Sequence, residues 1–203
     1  MKIVIIGATG TIGRAVAAAV SPRHEVIAAS RHGVHKVDLK DQTSVSALLK
    51  LVGPVDAVVS VAGGAAYKPL ADLTPADFQA SFDDKLMGQI NMARAAVPYL
   101  HDGGSITLTS GWWSIEPVPS VAAIATVNAA LEGFTRAAAL ELPRGIRINT
   151  ISPPLVGTPE WSNGRLLRMA AEDVAKGYVE VIEGTATGRI IDTRPYAARR
   201  EAA

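Results

Sequence analysis

The sequence predicts an α/β fold of the Rossmann type, in which a doubly wound parallel sheet carries helices on both faces. Two observations support this prediction. Short runs of Val and Ile alternate with Ala-rich, helix-favouring stretches along the 203 residues, as strands alternate with helices in parallel sheets. A glycine-rich turn at residues 7–13 directly follows the first run, at the place where an open α/β sheet binds nucleotides. We expect a single domain over residues 1–203.

The first half of the chain predicts four strands and two helices. The Ala-rich helix at residues 11–20 ends before Pro22, because proline excludes the helical conformation from the residue that precedes it. The second helix, at residues 41–51, begins with an acidic residue at its favourable end. So few residues separate the second strand from the third that no crossover helix fits between them, and the third strand should be a stub. The strands are expected at residues 2–6, 25–29, 34–38 and 56–62.

The second half continues the alternation with longer helices. Thr74 followed by Pro75 is typical of a helix start, and this helix is predicted to reach about residue 100, where Asp102-Gly103-Gly104 breaks it. A second long helix is expected at residues 121–142. The remaining strands are expected at residues 105–110, 145–151 and 188–192.

Composition excludes several classes of function. Lys and Arg number 20 against 19 Asp and Glu, a formal charge of +1, which is too small for sequence-independent nucleic-acid binding. The absence of cysteine excludes disulfides and a thiol nucleophile. No apolar run approaches the roughly 18 residues of a membrane helix, and the first run is too short for a signal peptide. We therefore expect a cytoplasmic protein that acts on a small molecule and binds neither nucleic acid nor membranes.

The glycine-rich turn has the chemistry of a dinucleotide phosphate site. Gly7 permits the tight turn, Gly10 lets the backbone approach a pyrophosphate, and Gly13 lets the helix pack on the strand. The amides at the helix N-terminus then face the anion. The alternative is an ordinary glycine-rich turn between strand and helix. We assign cofactor contacts here to Gly7, Thr9, Gly10, Thr11, Ile12 and Gly13.

The end of the second strand indicates which dinucleotide binds. An acidic residue there commonly bonds the ribose of NAD, whereas this chain has Ser30-Arg31-His32. A hydroxyl and a guanidinium suit a 2′-phosphate, which predicts NADP(H) in preference to NAD(H). The alternative is that Arg31 is a solvated surface charge. His32 and His35 have no further ligand nearby in the sequence, so we expect no metal site.

Further motifs resemble those of the short-chain dehydrogenase/reductase family over nearly the whole chain. Val37-Asp38-Leu39 resembles its adenine-contacting pair, residues 59–63 (Val-Ser-Val-Ala-Gly) resemble its Asn-Asn-Ala-Gly strand end, and residues 147–158 resemble the strand and loop that hold the nicotinamide carboxamide. The resemblance departs from the main branch in its glycine spacing and in Pro153-Pro154, where Pro-Gly is usual. It implies further cofactor contacts at Asp38, Leu39, Ala62, Gly63, Gly64, Pro153 and Thr158.

The resemblance fails at the active site. The main branch uses a Tyr general acid, a Lys four residues later that lowers its pKa and binds the nicotinamide ribose, a Ser that orients the carbonyl, and an Asn that holds a relay water. The same register in this sequence places Ile124 at the Tyr, Asn128 at the Lys, Gly111 at the Ser and Lys85 at the Asn. All four residues differ, although Ser110 lies one place before the position of the catalytic Ser.

Two of these differences are related, since a lysine and an asparagine have exchanged places. We hypothesise that Lys85 and Asn128 still present one cation and one amide to the cofactor ribose, while isoleucine has no proton to give. The candidate catalytic residues are therefore Lys85, Ser110 and Asn128. The alternative is that Lys85 is a surface residue and Asn128 a packing amide.

Other candidates surround this site. Ser114, Thr109 and Tyr67 are further hydroxyls that could give a proton, and Tyr67 precedes Lys68. The chain's three tryptophans fall where the family builds its substrate pocket, so they either bind a flat or apolar ligand or fill the space above a short lid. They are Trp112, Trp113 and Trp161.

Three functions stay open at this point. The first is an NADP(H)-dependent oxidoreductase of a small carbonyl or alcohol with a non-standard proton donor. The second is a catalytically silent NADP(H)-binding protein that acts as a sensor, partner or scaffold. The third, a methyltransferase on a similar sheet, leaves Asp38 and residues 147–158 unexplained. The resemblance also implies a homo-oligomer, a dimer or tetramer, built on the two long helices, and a substrate lid shortened to residues 158–171.

Overall fold

The computed structural model describes residues 1–162 and 165–197, with the backbone alone at residues 161, 162, 165 and 166. Its strands are β1 (Lys2–Ile6), β2 (Glu25–Ser30), β3 (His35–Lys36), β4 (Val55–Ser60), β5 (Leu100–Thr109), β6 (Arg147–Ser152), β7 (Leu155–Val156), β8 (Glu160–Ser162), β9 (Arg165–Met169) and β10 (Ile190–Asp192). Its α-helices are α1 (Thr11–Val20), α2 (Gln42–Val52), α3 (Pro75–Ser81), α4 (Gly88–Ala96), α5 (Ala122–Ala138) and α6 (Ala171–Glu183).

Seven parallel strands form the central sheet in the order β10-β6-β5-β4-β1-β2-β3. The order reverses between β1 and β4, which is where a doubly wound sheet opens its ligand crevice. The predicted fold class is confirmed. The strand stub at β3 and the missing helix before it are confirmed as well, because residues 31–34 form only a turn between β2 and β3.

Alternating side chains of the strands build two cores, one on each face of the sheet. In β1, Val4 and Ile6 pack against α2, α4 and α5, whereas Ile3 and Ile5 pack against α1 and α6. All four side chains are buried. This period of two follows from the pleat of a strand, and it explains why β1 is apolar at every position from Ile3 to Ile6.

The long helix predicted from residue 74 to about residue 100 is interrupted and ends earlier. Thr74 caps α3 by accepting from the Asp77 amide, but residues Phe82–Met87 form a π-helical segment before α4 begins. Pro98 lies in a short 3₁₀ turn after α4, and the next strand already begins at Leu100. The prediction that Asp102-Gly103-Gly104 follows a helix is therefore wrong, because the strand bulges there instead.

Helix α6 was not predicted from the sequence. Its buried residues, among them Val174, Tyr178 and Val181, recur at helical spacing. Gly177 obscured the pattern; it lies where an added Cβ would be 3.1 Å from the side chain of Thr193. A glycine that permits close packing between elements resembles a helix breaker when it is seen in sequence alone.

The stretch after β6 forms a small second sheet in the order β7-β9-β8. It stands where the resemblance places the substrate lid. Elsewhere the helix α5 ends at Ala138, four residues before the predicted end, and the other boundaries differ by a few residues. No helix in the described part of the chain has the length and apolar character needed to cross a membrane.

Candidate active site

The carboxyl ends of β1, β4, β5 and β6 meet at one edge of the sheet, where two adjoining cavities form a continuous cleft. The smaller has a volume of about 420 Å³ and lies over the glycine turn and the ends of β1 and β2. The larger, about 740 Å³, lies over β5 and β6 and beneath the small sheet. The two share Val61, Ala62 and Gly63 in the segment that follows β4.

The glycine turn is a cradle that side chains would fill. Gly7 has φ +90°, and a Cβ there would lie 2.9 Å from the Val61 carbonyl carbon. A Cβ on Gly13 would overlap the Gly7 carbonyl and lie 2.7 Å from the Ala8 Cα. The turn therefore requires glycine at both positions, as the sequence predicts. Helix α1 begins at Thr11, so its first amides, which have no partner within the helix, lie at this cradle.

The predicted contacts of the turn divide between different places. Gly7, Thr9 and Gly10 line the smaller cavity, and Ile12 lines the larger one. Thr11 and Gly13 line neither cavity, since Thr11 is exposed on the helix and Gly13 is buried against the turn. These two residues shape the turn and the N-terminus of α1 and do not offer a side chain to either cavity.

The adenosine end of the smaller cavity contains the predicted specificity residues. Ser30, Arg31, Asp38 and Leu39 line it together with Gly64. Arg31 is exposed at its rim. The Ser30 hydroxyl is buried without a hydrogen-bond partner in the described residues, and a Cβ on Gly33 would lie 2.8 Å from it. The guanidinium is thus the group free to meet a phosphate, while the Ser30 hydroxyl lies under the loop.

Lys85 lies in the π-helical segment and reaches the larger cavity. Its Nζ donates a hydrogen bond of 2.9 Å to the Ser110 carbonyl oxygen, and burial lowers the pKa of Lys85 to about 8. Gly63 permits this approach, because a Cβ there would lie 2.9 Å from the Lys85 Cα. The alternative of a solvent-facing lysine is wrong. π-segments are frequent at functional sites.

Asn128 faces the same cavity from helix α5. It is buried, and its Nδ2 donates to the Gly111 carbonyl oxygen at 3.0 Å. Its Oδ1 is also buried and has no hydrogen-bond partner in the described residues. Lys85 and Asn128 therefore bond the carbonyls of two successive residues, Ser110 and Gly111, at the end of β5.

Gly111 lies where the family has its catalytic serine, and its missing side chain makes room for Asn128. A Cβ on Gly111 would be 2.9 Å from Asn128 Nδ2. The backbone of Gly111 is extended, so its conformation alone does not require glycine. The two departures from the family pattern are thus coupled in space.

Ser110 lines the larger cavity, but its hydroxyl is engaged by a carboxylate. Its Oγ donates to Glu132 Oε1 at 3.0 Å and the residue is buried. Ser110 contributes its backbone carbonyl, which Lys85 bonds, and its hydroxyl is engaged elsewhere. This placement is against the predicted role of Ser110 as a proton donor.

A buried amide fixes the strand end that carries these residues. Gln89 lies in α4, and its side chain accepts from the Thr109 amide at 2.8 Å and donates to the Thr109 carbonyl at 2.9 Å. Neither Gln89 nor Glu132 was predicted from the sequence as a site residue. The signal that could have found them is helical spacing, since they follow Lys85 and Asn128 by one turn on the same helix faces.

No side chain at the position of the family's tyrosine replaces its proton, because Ile124 lines the larger cavity and has no proton to give. Tyr67 also lines it, with its ring 6.1 Å from that of Trp113, but it is 61% exposed. Lys68 forms an ion pair of 2.7 Å with Asp77 and is therefore held by that carboxylate.

Apolar and aromatic side chains line the rest of the larger cavity. Trp112 is buried beneath the Arg194 guanidinium, which lies 3.6 Å from its ring centroid. Pro153 lines the cavity as predicted, whereas Thr158 is exposed and lines neither cavity. The side chain of Trp161 lies outside the described residues. Further apolar lining comes from Trp113, Val118, Leu155, Val156 and Leu167.

The charges at this site do not form a metal centre. Within residues 1–162 and 165–197, no three His, Asp or Glu side chains lie close enough together to hold a metal ion. His101 lies at the opposite edge of the sheet, where its Nδ1 is 2.9 Å from Asp56.

Comparison with known proteins agrees with the geometry of the cleft. Residues 7–185 match the family model described as enoyl-(acyl carrier protein) reductase. The hydroxynaphthalene reductase arp2 of Aspergillus fumigatus is 30% identical over 148 residues, which are 72% of this chain and 54% of that protein. The uncharacterized oxidoreductase YghA of Escherichia coli is 31% identical over 127 residues, 60% of this chain and 43% of that protein. The chain thus spans about half the length of the curated relatives it matches.

Solved structures of similar length share the fold. Protein lin1944 of Listeria innocua superposes with a TM-score of 0.89 at 38% identity, over 95% of this chain and 98% of that one. A small-chain dehydrogenase in complex with NADPH superposes with a TM-score of 0.84 at 30% identity, over 95% of both chains. Since the family model covers most of the chain and agrees with its sheet and its glycine cradle, the chain belongs to the short-chain dehydrogenase/reductase family.

Proposed function

We propose that the protein is an NADP(H)-dependent oxidoreductase that transfers hydride between the cofactor and a small carbonyl or alcohol. The observation that carries the proposal is the position of Lys85. Lys85 lines the larger cavity and its ammonium group bonds the Ser110 carbonyl, beside a glycine cradle that leaves room for a dinucleotide. A proton-bearing side chain thus lies next to the expected cofactor site although the family's tyrosine is absent.

The cleft fits NADP(H). Gly7, Thr9 and Gly10 would hold the pyrophosphate at the N-terminus of α1. Arg31, exposed at the rim, would meet the 2′-phosphate of the adenosine ribose. A relative of known structure holds NADPH, which favours this choice over NAD(H).

The larger cavity would receive the nicotinamide and the substrate. Asn128 lines this cavity, so its amide would lie beside the nicotinamide ribose. Pro153 and Ile12 would bound the nicotinamide on the sides of β6 and α1. Trp113 and Leu167 form an apolar wall for the substrate.

The chemistry divides between cofactor and protein. When bound, the cofactor supplies the hydride. Lys85 Nζ holds a proton at neutral pH, and a pKa of about 8 makes it an efficient proton donor near physiological pH. The Ser110 carbonyl accepts a hydrogen bond from the Lys85 ammonium group and thereby orients it. The apolar wall excludes water from the substrate.

The apolar walls favour a flat, cyclic or aromatic carbonyl as the substrate. Aromatic and aliphatic side chains bind such molecules through buried area and ring contacts. Among the relatives, the hydroxynaphthalene reductases and the 1-cyclohexenylcarbonyl-CoA reductase of Streptomyces collinus have names of this class. Their names supply a starting panel of substrates.

A second candidate is a catalytically silent NADP(H)-binding protein. Two observations favour it: Ile124 stands where the family has its acid, and the Ser110 hydroxyl is already bonded to Glu132. In this case the protein would bind NADP(H) through the glycine cradle and Arg31 and would not catalyse hydride transfer.

Comparative titration and a turnover assay separate these proposals. NADPH and NADH are titrated against the protein by cofactor fluorescence, and NADPH consumption is then followed with a panel of cyclic and aryl ketones. We expect NADPH to bind at least tenfold more tightly than NADH, and Arg31→Ala to remove most of that difference. Lys50→Ala, which removes an exposed charge on α2, is the matched control.

Each outcome has one interpretation. Tight NADPH binding with turnover supports the oxidoreductase, and tight binding without turnover on the whole panel supports the silent protein. Equal affinities, or tighter NADH, overturn the choice of NADP(H). Failure to bind either cofactor overturns both proposals.

A further inference from the structure

A carboxylate is buried beneath the candidate active site. Glu132 lies on α5, one turn after Asn128, and is 6% exposed. Its Oε1 accepts from Ser110 Oγ at 3.0 Å and from Ser114 Oγ at 2.7 Å. Among the residues that the structure describes, no Lys, Arg or His nitrogen lies within 4 Å of it.

The two serines flank a loop that walls the cavity. We call residues 110–114 the tryptophan loop, because Trp112 and Trp113 lie between Ser110 and Ser114. Both tryptophans line the larger cavity. One oxygen of Glu132 therefore bonds the first and the last residue of this loop.

The first residue of the loop also holds Lys85. Lys85 Nζ bonds the Ser110 carbonyl oxygen, while Glu132 bonds the hydroxyl of the same residue. Ser110 thus lies between a buried cation and a buried carboxylate. A change in the position of Ser110 would move the acceptor on which the ammonium group depends.

The free-energy cost of burying a carboxylate indicates that Glu132 does more than fill space. A buried carboxylate without a cation costs several kcal/mol unless hydrogen bonds compensate it. An apolar side chain at this position of α5 would fill the same place at lower cost. The benefit of Glu132 therefore lies in the two bonds that it makes and not in the space that it fills.

We propose that Glu132 is a positioning residue, which fixes the tryptophan loop at both ends and holds the Ser110 carbonyl that orients Lys85. The proposal rests on the proposed function, since it assigns the loop to the substrate cavity and Lys85 to proton transfer. Glu132 itself touches neither cavity.

Two substitutions of Glu132 separate hydrogen bonding from packing. Glu132→Gln keeps an oxygen that accepts from both serines, whereas Glu132→Leu keeps the volume and removes the acceptor. The matched control is Thr135→Val, on the same helix. Thr135 is buried and its hydroxyl bonds Thr150 at 2.6 Å, away from both cavities.

Three readouts are measured on each variant: kcat and KM for NADPH consumption, the dissociation constant of NADPH, and the ¹⁹F resonances of protein labelled with 5-fluorotryptophan. For Glu132→Leu we expect kcat to fall at least tenfold, NADPH affinity to stay within twofold, and the Trp112 and Trp113 resonances to shift. Glu132→Gln should keep kcat within about threefold. Thr135→Val should change none of the three.

The proposal is overturned if Glu132→Leu keeps the wild-type kcat and tryptophan resonances. Should Glu132→Leu not fold, Ser114→Ala removes one bond and leaves Glu132 in place, and unchanged resonances in that variant also overturn the proposal. If the wild-type protein shows no turnover, the proposed function fails, while the fluorine resonances still test the position of the loop.

Discussion

Gly111 and Asn128 show how two departures from a family pattern depend on one another. The absence of a side chain at Gly111 leaves room for the Asn128 amide, which in turn bonds the Gly111 carbonyl. Serine, the family counterpart of Gly111, would bring a Cβ within 2.9 Å of the Asn128 amide nitrogen. Sequence reasoning placed both at the site through their register in the motif, but the contact between them needed the structure.

This contact predicts coupled effects on stability. Gly111→Ala alone should lower the free energy of unfolding by about 1–2 kcal/mol, because its Cβ would push the buried Asn128 amide away from its hydrogen bond. In the background of Asn128→Ala the same change should cost much less. Urea denaturation of the four proteins in the double-mutant cycle measures the coupling. Strictly additive effects would contradict the contact.

The Ser110 hydroxyl illustrates what sequence cannot give at the residue scale. Its place in the chain predicts a polar group at the strand end, and the structure has one there. The direction of that group depends on a rotamer and on the carboxylate of Glu132, which is 22 residues away in sequence. The exposure of Thr158 could not be predicted either, because it depends on how the segment after β7 folds.

At the scale of elements, the turn between β1 and α1 was predicted correctly because its requirement is steric. Gly13 packs so closely on the Gly7 carbonyl that only hydrogen fits there. Such a requirement can be recognised in the sequence, because only glycine satisfies it.

The turn yields a paired prediction. Gly13→Ala should displace α1 from the turn, lower the free energy of unfolding by several kcal/mol and abolish NADPH binding. Gly133→Ala, in the exposed middle of α5 where a Cβ meets nothing within 4 Å, should raise stability by about 0.5–1 kcal/mol and leave binding unchanged. Thermal unfolding and NADPH titration check both. Unimpaired binding in Gly13→Ala would contradict the cradle.

The π-helical segment and α6 were missed because tertiary contacts determine them. The π-segment brings Lys85 against Gly63, and the start of α4 packs on Leu39, where a Cβ on Gly88 would lie 3.0 Å from the Leu39 Cβ. Nothing local in the sequence specifies one extra residue per turn. Helix α6 was hidden by Gly177, whose role is contact with Thr193.

At the scale of the whole molecule, the alternation of strands and helices predicted the sheet, its parallel strands and its ligand edge. The prediction succeeded because right-handed crossovers leave few topologies open. The homo-oligomer expected from the long helices stays a prediction, which sedimentation analysis would test.

In the proposed function the cleft acts as one unit, in which the smaller cavity holds NADP(H) and the larger one presents Lys85 to the substrate. The pKa of Lys85 is lowered to about 8, so below this pH the group is protonated and can give its proton to a reduced carbonyl. Above it the ammonium group loses that proton. Reduction should therefore slow as pH rises through about 8, by about tenfold per pH unit.

The most direct test is the pH dependence of kcat for NADPH consumption between pH 6 and 10, in the wild-type protein and in Lys85→Met. We predict a wild-type rate that is level below pH 8 and falls above it, and a Lys85→Met rate at least a hundredfold lower that no longer falls there, with NADPH still bound. A Lys85→Met protein with the wild-type rate and the wild-type pH profile would contradict the account.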